Sequence, residues 1–374
     1  MAGRFGSIVR GQRGQTRRSS PGRAPPLSPR RLATWANMSL PRRIRGLFWS
    51  ALAKPMIQIL ALCGQPWGKS CRPFRERKQP MPSLNARLFA FVLRSTGFVR
   101  RNFSGGAALD MAIAAARAAP AQLPTAKQRA RLDIREESFE GRPVWHIAPK
   151  DQATSRVLLY FHGGGYIYAA SNFHWAFLCH LAEKHGVSII APLYPLAPEH
   201  DAAAITQFAL NLYRDVLTRH QAADIVMGGD SAGGGLTAAT LMAARDAGLA
   251  LPRKALLICP WLNAEPDHPD QLLIEPRDAI LTRSGIRDAG RRYAGRLSVQ
   301  DPRVSPIYGN WDGLPEMLMF AGGDDILVAD ARALKAKLPS VDYHEAASMI
   351  HDWPIFTFAE SRAAQAHMAG FIKN

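Results

Sequence analysis

From residue 81 onward, short runs of apolar residues alternate with longer stretches in which apolar residues recur every three or four positions. The short runs predict buried strands and the longer stretches predict amphipathic helices. The predicted strands span residues 134–139, 144–147, 157–161, 187–191, 225–227, 255–259, 317–320 and 341–344. The predicted helices span residues 84–99, 107–119, 175–185, 202–219, 232–247, 331–338 and 357–371. This alternation predicts an α/β fold with a mainly parallel central sheet and helices on both faces.

Residues 1–80 differ from the rest of the chain in charge. They hold 17 lysines and arginines and one acid, Glu76, which gives a net charge of +16, whereas residues 81–374 carry a net charge of +1. We therefore expect a basic N-terminal extension over 1–80, disordered because it is rich in Arg, Gly, Ser and Pro, and a folded domain over 81–374. Because the folded part is nearly neutral, the basic composition does not indicate a specific nucleic-acid partner.

A more apolar stretch within the extension, residues 47–63, is interrupted by Lys54 and Pro55. Neither part approaches the ~20 residues that a membrane-spanning helix needs. Two interpretations stay open: weak membrane association through residues 1–80, or a true start at Met38 or Met81 with the preceding residues outside the native protein. Four cysteines without a CxxC pair argue against a disulfide scaffold and a structural zinc site, so a cytoplasmic location is the simpler expectation.

The strongest chemical motif is Gly-Asp-Ser-Ala-Gly at residues 229–233, which follows the apolar run 225–227 and precedes an alanine-rich predicted helix. A Gly-x-Ser-x-Gly motif between a strand and a helix is typical of a nucleophile elbow, in which a tight turn lifts the serine above the sheet. The flanking glycines avoid steric clashes in that turn. Ser231 is therefore the predicted nucleophile, and the N–H of Ala232 at the helix start is a predicted oxyanion donor.

A second motif, His-Gly-Gly-Gly-Tyr at residues 162–166, follows the predicted strand 157–161. Consecutive glycines allow backbone N–H groups to face a developing oxyanion, and we predict Gly163 and Gly164 as the donors beside Ala232. The segment around residues 162–166 lacks the Gly-Lys-Ser/Thr and Gly-x-Gly-x-x-Gly patterns that a phosphate-binding loop would show. His162 is expected to fix the loop by hydrogen bonding and not to act as a base.

A base and an acid should follow the serine along the chain in this type of fold. His351 lies in a predicted loop between the last strand and the last helix, which makes it the predicted base. Asp324 and Asp325 follow the predicted strand 317–320, and we choose Asp324 as the acid with Asp325 in reserve. Asp352 adjoins His351, but adjacent side chains in an extended loop point apart, so we expect it to be a poor partner.

With these motifs in place, residues 81–374 resemble the hormone-sensitive-lipase-like branch of the α/β-hydrolases, also called bacterial family IV esterases. The resemblance implies an α/β-hydrolase fold and a serine esterase with a helical cap, formed by residues 81 to about 131 with 263–297 as a second candidate part. It departs from the family at the basic extension and at the Asp-Asp pair. The ordered motifs that carry it occur at residues 162–166, 194–200, 229–234, 260–261, 305–308, 313–315 and 322–327.

The sequence thus predicts a carboxylic-ester hydrolase that uses Ser231, Asp324 and His351, requires no metal or organic cofactor and acts on a small acyl ester. An amidase or formamidase with the same triad is the first alternative, and a non-catalytic small-molecule-binding protein of the same fold is the second. A homodimer is a further expectation. Glu199 is a candidate support for Asp230, although the segment around it equally fits a rigid loop that leads into the helix 202–219.

Overall fold

A single mixed β-sheet forms the centre of the protein. The computed structural model describes residues 81–150 and 156–374, and the predicted extension over 1–80 lies outside the described residues. In chain order the strands are β1 (Leu132–Phe139), β2 (Arg142–Pro149), β3 (Val157–Phe161), β4 (Ser188–Pro192), β5 (Ile225–Asp230), β6 (Lys254–Ile258), β7 (Glu316–Gly322) and β8 (Asp342–Ala346). Their spatial order is β1-β2-β4-β3-β5-β6-β7-β8.

The sheet is antiparallel at one side and parallel elsewhere. Strand β2 pairs antiparallel with both β1 and β4. All pairs from β4 through β3 and β5 to β8 are parallel. Every residue of β3 and of β5 is buried, which requires cover on both faces of the sheet. The predicted α/β class with a mainly parallel sheet is confirmed.

Helices connect the strands and pack on the sheet. In chain order they are α1 (Leu84–Thr96), α2 (Phe98–Asn102), α3 (Ala107–Ala118), α4 (Ala126–Arg131), α5 (Asn172–His185), α6 (Ala202–Arg219), α7 (Ala232–Asp246), α8 (Pro269–Ile274), α9 (Arg283–Ala294), α10 (Val328–Lys337) and α11 (Ala359–Lys373). Short 3₁₀ turns lie at Ala222–Asp224, Pro306–Tyr308 and Trp353–Ile355. None of the helices in these described ranges is long and apolar enough to cross a membrane.

The first predicted helix, 84–99, is divided in the structure. Helix α1 ends at Gly97, which adopts a left-handed φ of 57° and whose N–H bonds to the carbonyl of Leu93. Such a glycine is the usual C-terminal cap of a helix, so α2 begins in a new direction. Helices α4, α8 and α9 were not predicted, since they are short or, in α9, dominated by charged residues.

The segment around α2 packs closely against the segment around α9. A side chain in place of Gly285 would meet the carbonyl oxygen of Phe103 at 1.5 Å, so this approach requires glycine. The hydroxyl of Thr282 donates to that same carbonyl, and Arg100 donates to the carbonyl of Asp278 at 3.2 Å. The regions 81–106 and 275–288, distant in sequence, therefore form one contiguous surface layer.

Candidate active site

Ser231 occupies a sharp turn between β5 and α7. Its φ is 51° and its ψ is −119°, a backbone conformation that residues other than glycine rarely adopt. Its N–H donates to the carbonyl of Ile258 at 2.8 Å, and its own carbonyl accepts from Trp261 at 2.9 Å. These bonds anchor the turn to strand β6 and to the segment that follows it.

The two glycines around the serine are required by close backbone approaches. A Cβ on Gly229 would lie 2.4 Å from the backbone of Gly233, and a Cβ on Gly233 would lie 1.9 Å from the carbonyl oxygen of Phe161. Contacts that short are never tolerated, so both positions exclude any side chain. The local geometry is that of a nucleophile elbow, with Ser231 at the carboxyl edge of the parallel strands.

The neighbouring carboxylate of Asp230 is fully buried and accepts three hydrogen bonds. It accepts hydrogen bonds from the Tyr160 hydroxyl, from the N–H of Gly163 at 3.0 Å and from His174 Nε2 at 3.1 Å. Burial by itself would raise the pKa of Asp230, but His174 and Tyr160 outweigh it and lower that pKa to about 2. An ionised Asp230 therefore connects β3, α5 and the His-Gly-Gly-Gly-Tyr segment at residues 162–166, called the glycine loop below.

This network corrects two expectations from the sequence. Gly163, predicted as an oxyanion donor, already donates its N–H to Asp230, so the structure contradicts that assignment. Glu199 does not reach Asp230; it is exposed and forms an ion pair with Arg117 at 3.0 Å, and Arg117 also binds the carbonyls of Ile167 and Ala197. The contacts of Arg117 with Glu199 and with the two carbonyls instead agree with the alternative interpretation, in which the segment around Glu199 is a rigid loop that leads into α6. Sequence reasoning missed His174 and Tyr160, which lie far from Asp230 along the chain.

The glycine loop is fixed by His162, as expected. Its imidazole Nδ1 lies 2.7 Å from the carbonyl of Gly163, and the ring stacks on Tyr194 with centroids 4.3 Å apart. Burial, together with the nearby His174, lowers the pKa of His162 to about 4, so the ring is neutral at pH 7. The hydroxyl of Tyr194 also donates to the carbonyl of His162 at 2.6 Å, which ties the loop to the segment after β4.

Two further N–H groups of the loop and one at the helix start remain available. The hydrogen bonds formed within residues 81–150 and 156–374 do not engage the N–H of Gly164 or Gly165. Gly164 has a φ of 118° and Gly165 a φ of 64°, so both depend on the absence of a side chain. Ala232 is the first residue of α7, where an N–H has no acceptor within the helix.

His351 lies between two carboxylates. Its Nδ1 is 2.7 Å from Asp325 Oδ2, and its Nε2 is 3.2 Å from Asp352 Oδ2. Burial opposes a charge on this ring, but the carboxylates of Asp325 and Asp352 raise the pKa of His351 well above its ordinary value. Asp325 is itself held by a bond from the N–H of Leu327 to its other oxygen at 2.8 Å.

The choice of Asp324 as the acid is wrong in this geometry. Its side chain turns away from His351 and pairs with Arg277 at 3.0 Å and with Arg94 at 3.7 Å. Its backbone N–H donates to the carbonyl of Met349, which aligns the acid loop with the histidine loop. The chain turns tightly here, so the two adjacent carboxylates face opposite ways and only Asp325 faces the imidazole.

Asp352 is also closer to the imidazole than the sequence led us to expect. The residue has a left-handed φ of 54°, so the loop is not extended and its side chain folds back toward Nε2. Burial raises the pKa of the Asp352 carboxyl to about 7, with the charges of Asp230 and Asp325 adding to the effect and that of His351 opposing it. No hydrogen bond between Ser231 Oγ and His351 occurs among the described residues.

Comparison with known proteins identifies the family to which the chain belongs. Residues 158–355 match a protein family described as having the alpha/beta hydrolase fold. That match spans more than half of the chain, so the protein belongs to this family. The predicted α/β-hydrolase fold is thereby confirmed.

Relatives and solved structures define the class more closely. The chain is 33% identical to an acetyl-hydrolase of Streptomyces hygroscopicus over 53% of this chain and 68% of the relative. It is 27% identical to an esterase of Acinetobacter venetianus over 66% of this chain and 86% of the relative. A crystal structure of an esterase from the bacterial hormone-sensitive lipase family superposes with a TM-score of 0.62 at 29% identity, covering 70% of this chain and 94% of that one. The protein is a carboxylesterase-type hydrolase of the hormone-sensitive-lipase-like group.

The two adjacent aspartates should respond very differently to substitution. We expect Asp325→Asn to lower kcat on a short p-nitrophenyl ester by about 10⁴-fold, because the imidazole loses the carboxylate that orients it and stabilises its charge. Asp324→Asn, the matched control, should change kcat by less than about threefold because the Asp324 carboxylate pairs with Arg277 and Arg94 and not with His351. Circular dichroism would verify folding of both variants. A larger loss at Asp324 would restore the assignment made from the sequence.

The acid limb of the pH profile should depend on Asp352. Catalysis by His351 as a base requires the neutral ring, so activity should rise with pH through the raised pKa of His351. Asp352→Asn removes one of the two carboxylates that favour the protonated ring and should move the acid limb of kcat/KM about one pH unit lower. Asp324→Asn should leave the limb in place. An unchanged or upward-shifted limb in Asp352→Asn would contradict this account.

Proposed function

We propose that the protein hydrolyses carboxylic esters through an acyl-enzyme formed on Ser231, with His351 as the base and Asp325 as the acid. The observation that carries the proposal is the convergence of three loops at one edge of the sheet. Ser231 follows β5, Asp325 follows β7, and His351 follows β8 and bonds to Asp325 through Nδ1. This is the arrangement of groups that nucleophilic acyl transfer needs.

In the proposed reaction, Ser231 Oγ attacks the acyl carbon while His351 Nε2 removes its proton. The resulting imidazolium is stabilised by Asp325 and then protonates the leaving alcohol. Water activated by the same nitrogen releases the acid from the enzyme. For these steps to occur, His351 Nε2 must exchange its contact with Asp352 for a hydrogen bond with Ser231 Oγ.

The oxyanion that forms during this reaction needs N–H donors that are not already engaged. We infer that Gly164, Gly165 and Ala232 supply them, with Gly163 replaced in this role because its N–H bonds to Asp230. Asp230 then acts indirectly: by holding Gly163 it fixes the start of the loop, so that the following two N–H groups are preorganised. Its buried partners Tyr160 and His174 keep it ionised for this purpose.

Residues 81 to about 131, together with part of 263–297, are proposed to form a cap over the site. Supporting this, Arg94 of α1 reaches Asp324, which is adjacent to the proposed acid, and Arg277 reaches the same carboxylate. The close contact between Phe103 and Gly285 unites the two regions. A cap so placed would exclude water from the site and choose among acyl groups.

The mechanism applies equally to a substrate with an alcohol leaving group, an ester, and to one with an amine leaving group, an amide, since an amidase would use the same residues. The acetyl-hydrolase and esterase names of its relatives favour an ester substrate with a short acyl group. Matched p-nitrophenyl esters and p-nitroanilides of increasing chain length would separate the two activities. A higher kcat/KM on the anilides would overturn the proposal in favour of an amidase.

Loss of Ser231 should abolish the chemistry without unfolding the protein. We expect Ser231→Ala to eliminate covalent labelling by an organophosphonate and to lower kcat on p-nitrophenyl acetate by about 10⁶-fold. Ser305→Ala is the control, since Ser305 is buried like Ser231 but its hydroxyl accepts a hydrogen bond from the N–H of Ala264 and donates one to the carbonyl of Val299. Labelling that persists in Ser231→Ala would exclude this serine as the nucleophile.

We further propose that the protein binds anionic lipid surfaces weakly through residues 1–80 and helix α1. Supporting this, the side chains of Leu84, Leu88 and Phe91 lie along one side of α1 with 78%, 55% and 62% exposure. Residues 81–106 contain four arginines and no acid, and they continue the net charge of +16 in residues 1–80. Apolar and basic groups together are typical of an interfacial helix.

Vesicle sedimentation of the full chain tests this proposal. Phosphatidylserine-containing vesicles should bind it at low salt and release it at high salt, whereas pure phosphatidylcholine vesicles should bind at least about tenfold less. A variant with Leu88→Ser and Phe91→Ser should bind more weakly at every salt concentration. Equal binding to both vesicles would contradict the proposal. A dimer in solution that the same variant dissociates would assign this surface to a second copy instead.

A further inference from the structure

Away from the proposed active site, strand β8 and helix α11 bring together a carboxylate and two imidazoles. Asp342 Oδ1 lies 2.9 Å from His344 Nε2, and Asp342 Oδ2 lies 3.7 Å from His367 Nε2. The three ligand atoms all lie within 4.8 Å of one another. Asp342 and His344 are two residues apart on a strand and so face the same side of the sheet, toward the helix that carries His367.

From this cluster we propose a binding site for a divalent transition-metal ion of the zinc type, with Asp342, His344 and His367 as its ligands. Two imidazoles and one carboxylate are a donor set that Zn²⁺, Co²⁺ and Ni²⁺ accept, whereas Mg²⁺ and Ca²⁺ prefer oxygen ligands throughout. A four-coordinate zinc ion with bonds of about 2.0–2.2 Å separates its ligand atoms by roughly 3.3 Å. The distances of 2.9 and 3.7 Å lie on either side of that value.

The surroundings of the cluster suit a metal with open coordination positions. The side chains of Asp342 and His367 are 50% and 41% exposed, so water can complete the coordination shell from the solvent side. On the inner side, Phe320 stacks on His344 at 5.3 Å between centroids and lies edge-on to His367 at 5.9 Å. The Phe320 ring restricts the orientations of both imidazoles, so less side-chain conformational entropy would be lost when a metal binds.

A metal at this position would act on the proposed catalytic histidine from a distance. The loop of residues 347–358, which contains His351, leaves β8 at one end and enters α11 at the other. The three ligands come from those two flanking elements, so a bound ion would tie both ends of the loop together. This consequence rests on the proposed function, whereas metal binding itself does not.

Cobalt titration of the chelator-treated full chain tests the site directly. We expect one equivalent of Co²⁺ to produce visible absorption bands in the wild type, and His367→Ala to weaken the binding by at least about 100-fold. His200→Ala is the matched control, since His200 is exposed and lies outside the cluster, and it should bind as the wild type does. Asp342→Asn should weaken the binding as well, because a neutral amide replaces the charged ligand.

A second cluster, Cys259, His351 and Asp352, could compete for the same ion. Cobalt bound there would show an intense sulfur-to-metal band in the near ultraviolet and would inhibit hydrolysis, which occupation of the β8–α11 site should not do. Zn²⁺ should also raise the melting temperature of the wild type by several degrees and that of His367→Ala much less. Equal cobalt affinity or equal thermal stabilisation in the wild type and His367→Ala would overturn the proposal, as would a sulfur-to-metal band as the sole signal.

Discussion

The buried carboxylate of Asp230 is the constraint on which the site depends. Three partners from different parts of the chain converge on it: Tyr160 on β3, Gly163 in the glycine loop and His174 on α5. A buried charge left without these partners would be costly, so the network is favourable only when all three elements are in place. The elbow and the glycine loop are therefore stabilised by the same buried charge.

Steric exclusion complements this network at the same location. The backbones of Gly229, Gly233 and Phe161 approach so closely that no side chain fits between them. Together with the positive φ of Ser231, this packing holds the serine in a strained conformation that the surrounding sheet maintains. The hydroxyl that is proposed to react is thus positioned by buried backbone contacts and by the charge of its neighbour.

Adjacent residues perform opposite tasks at two places in the protein. Asp325 faces the imidazole of His351, whereas Asp324 binds arginines of the proposed cap. The proposed acid is therefore adjacent to a residue that anchors the proposed cap. His351 and Asp352 likewise adjoin one another, yet the left-handed turn at Asp352 places its carboxyl against the nitrogen that should face the serine. Both carboxylates raise the pKa of His351 and so favour its protonated form, whereas the ring must be neutral to act as a base.

The sequence by itself determined the order of the strands, most of the helices, the elbow at Ser231 and the glycine loop, because each follows from the spacing of apolar residues or from glycines at fixed offsets. It could not decide between Asp324 and Asp325, since the direction of a side chain in a tight turn depends on what the turn packs against. It assigned Gly163 to the oxyanion because nothing local reveals that Asp230 takes its N–H. The partnerships of His174 with Asp230 and of His367 with Asp342 were decided only by the tertiary structure, which brings together residues that are distant in sequence and carry no common motif.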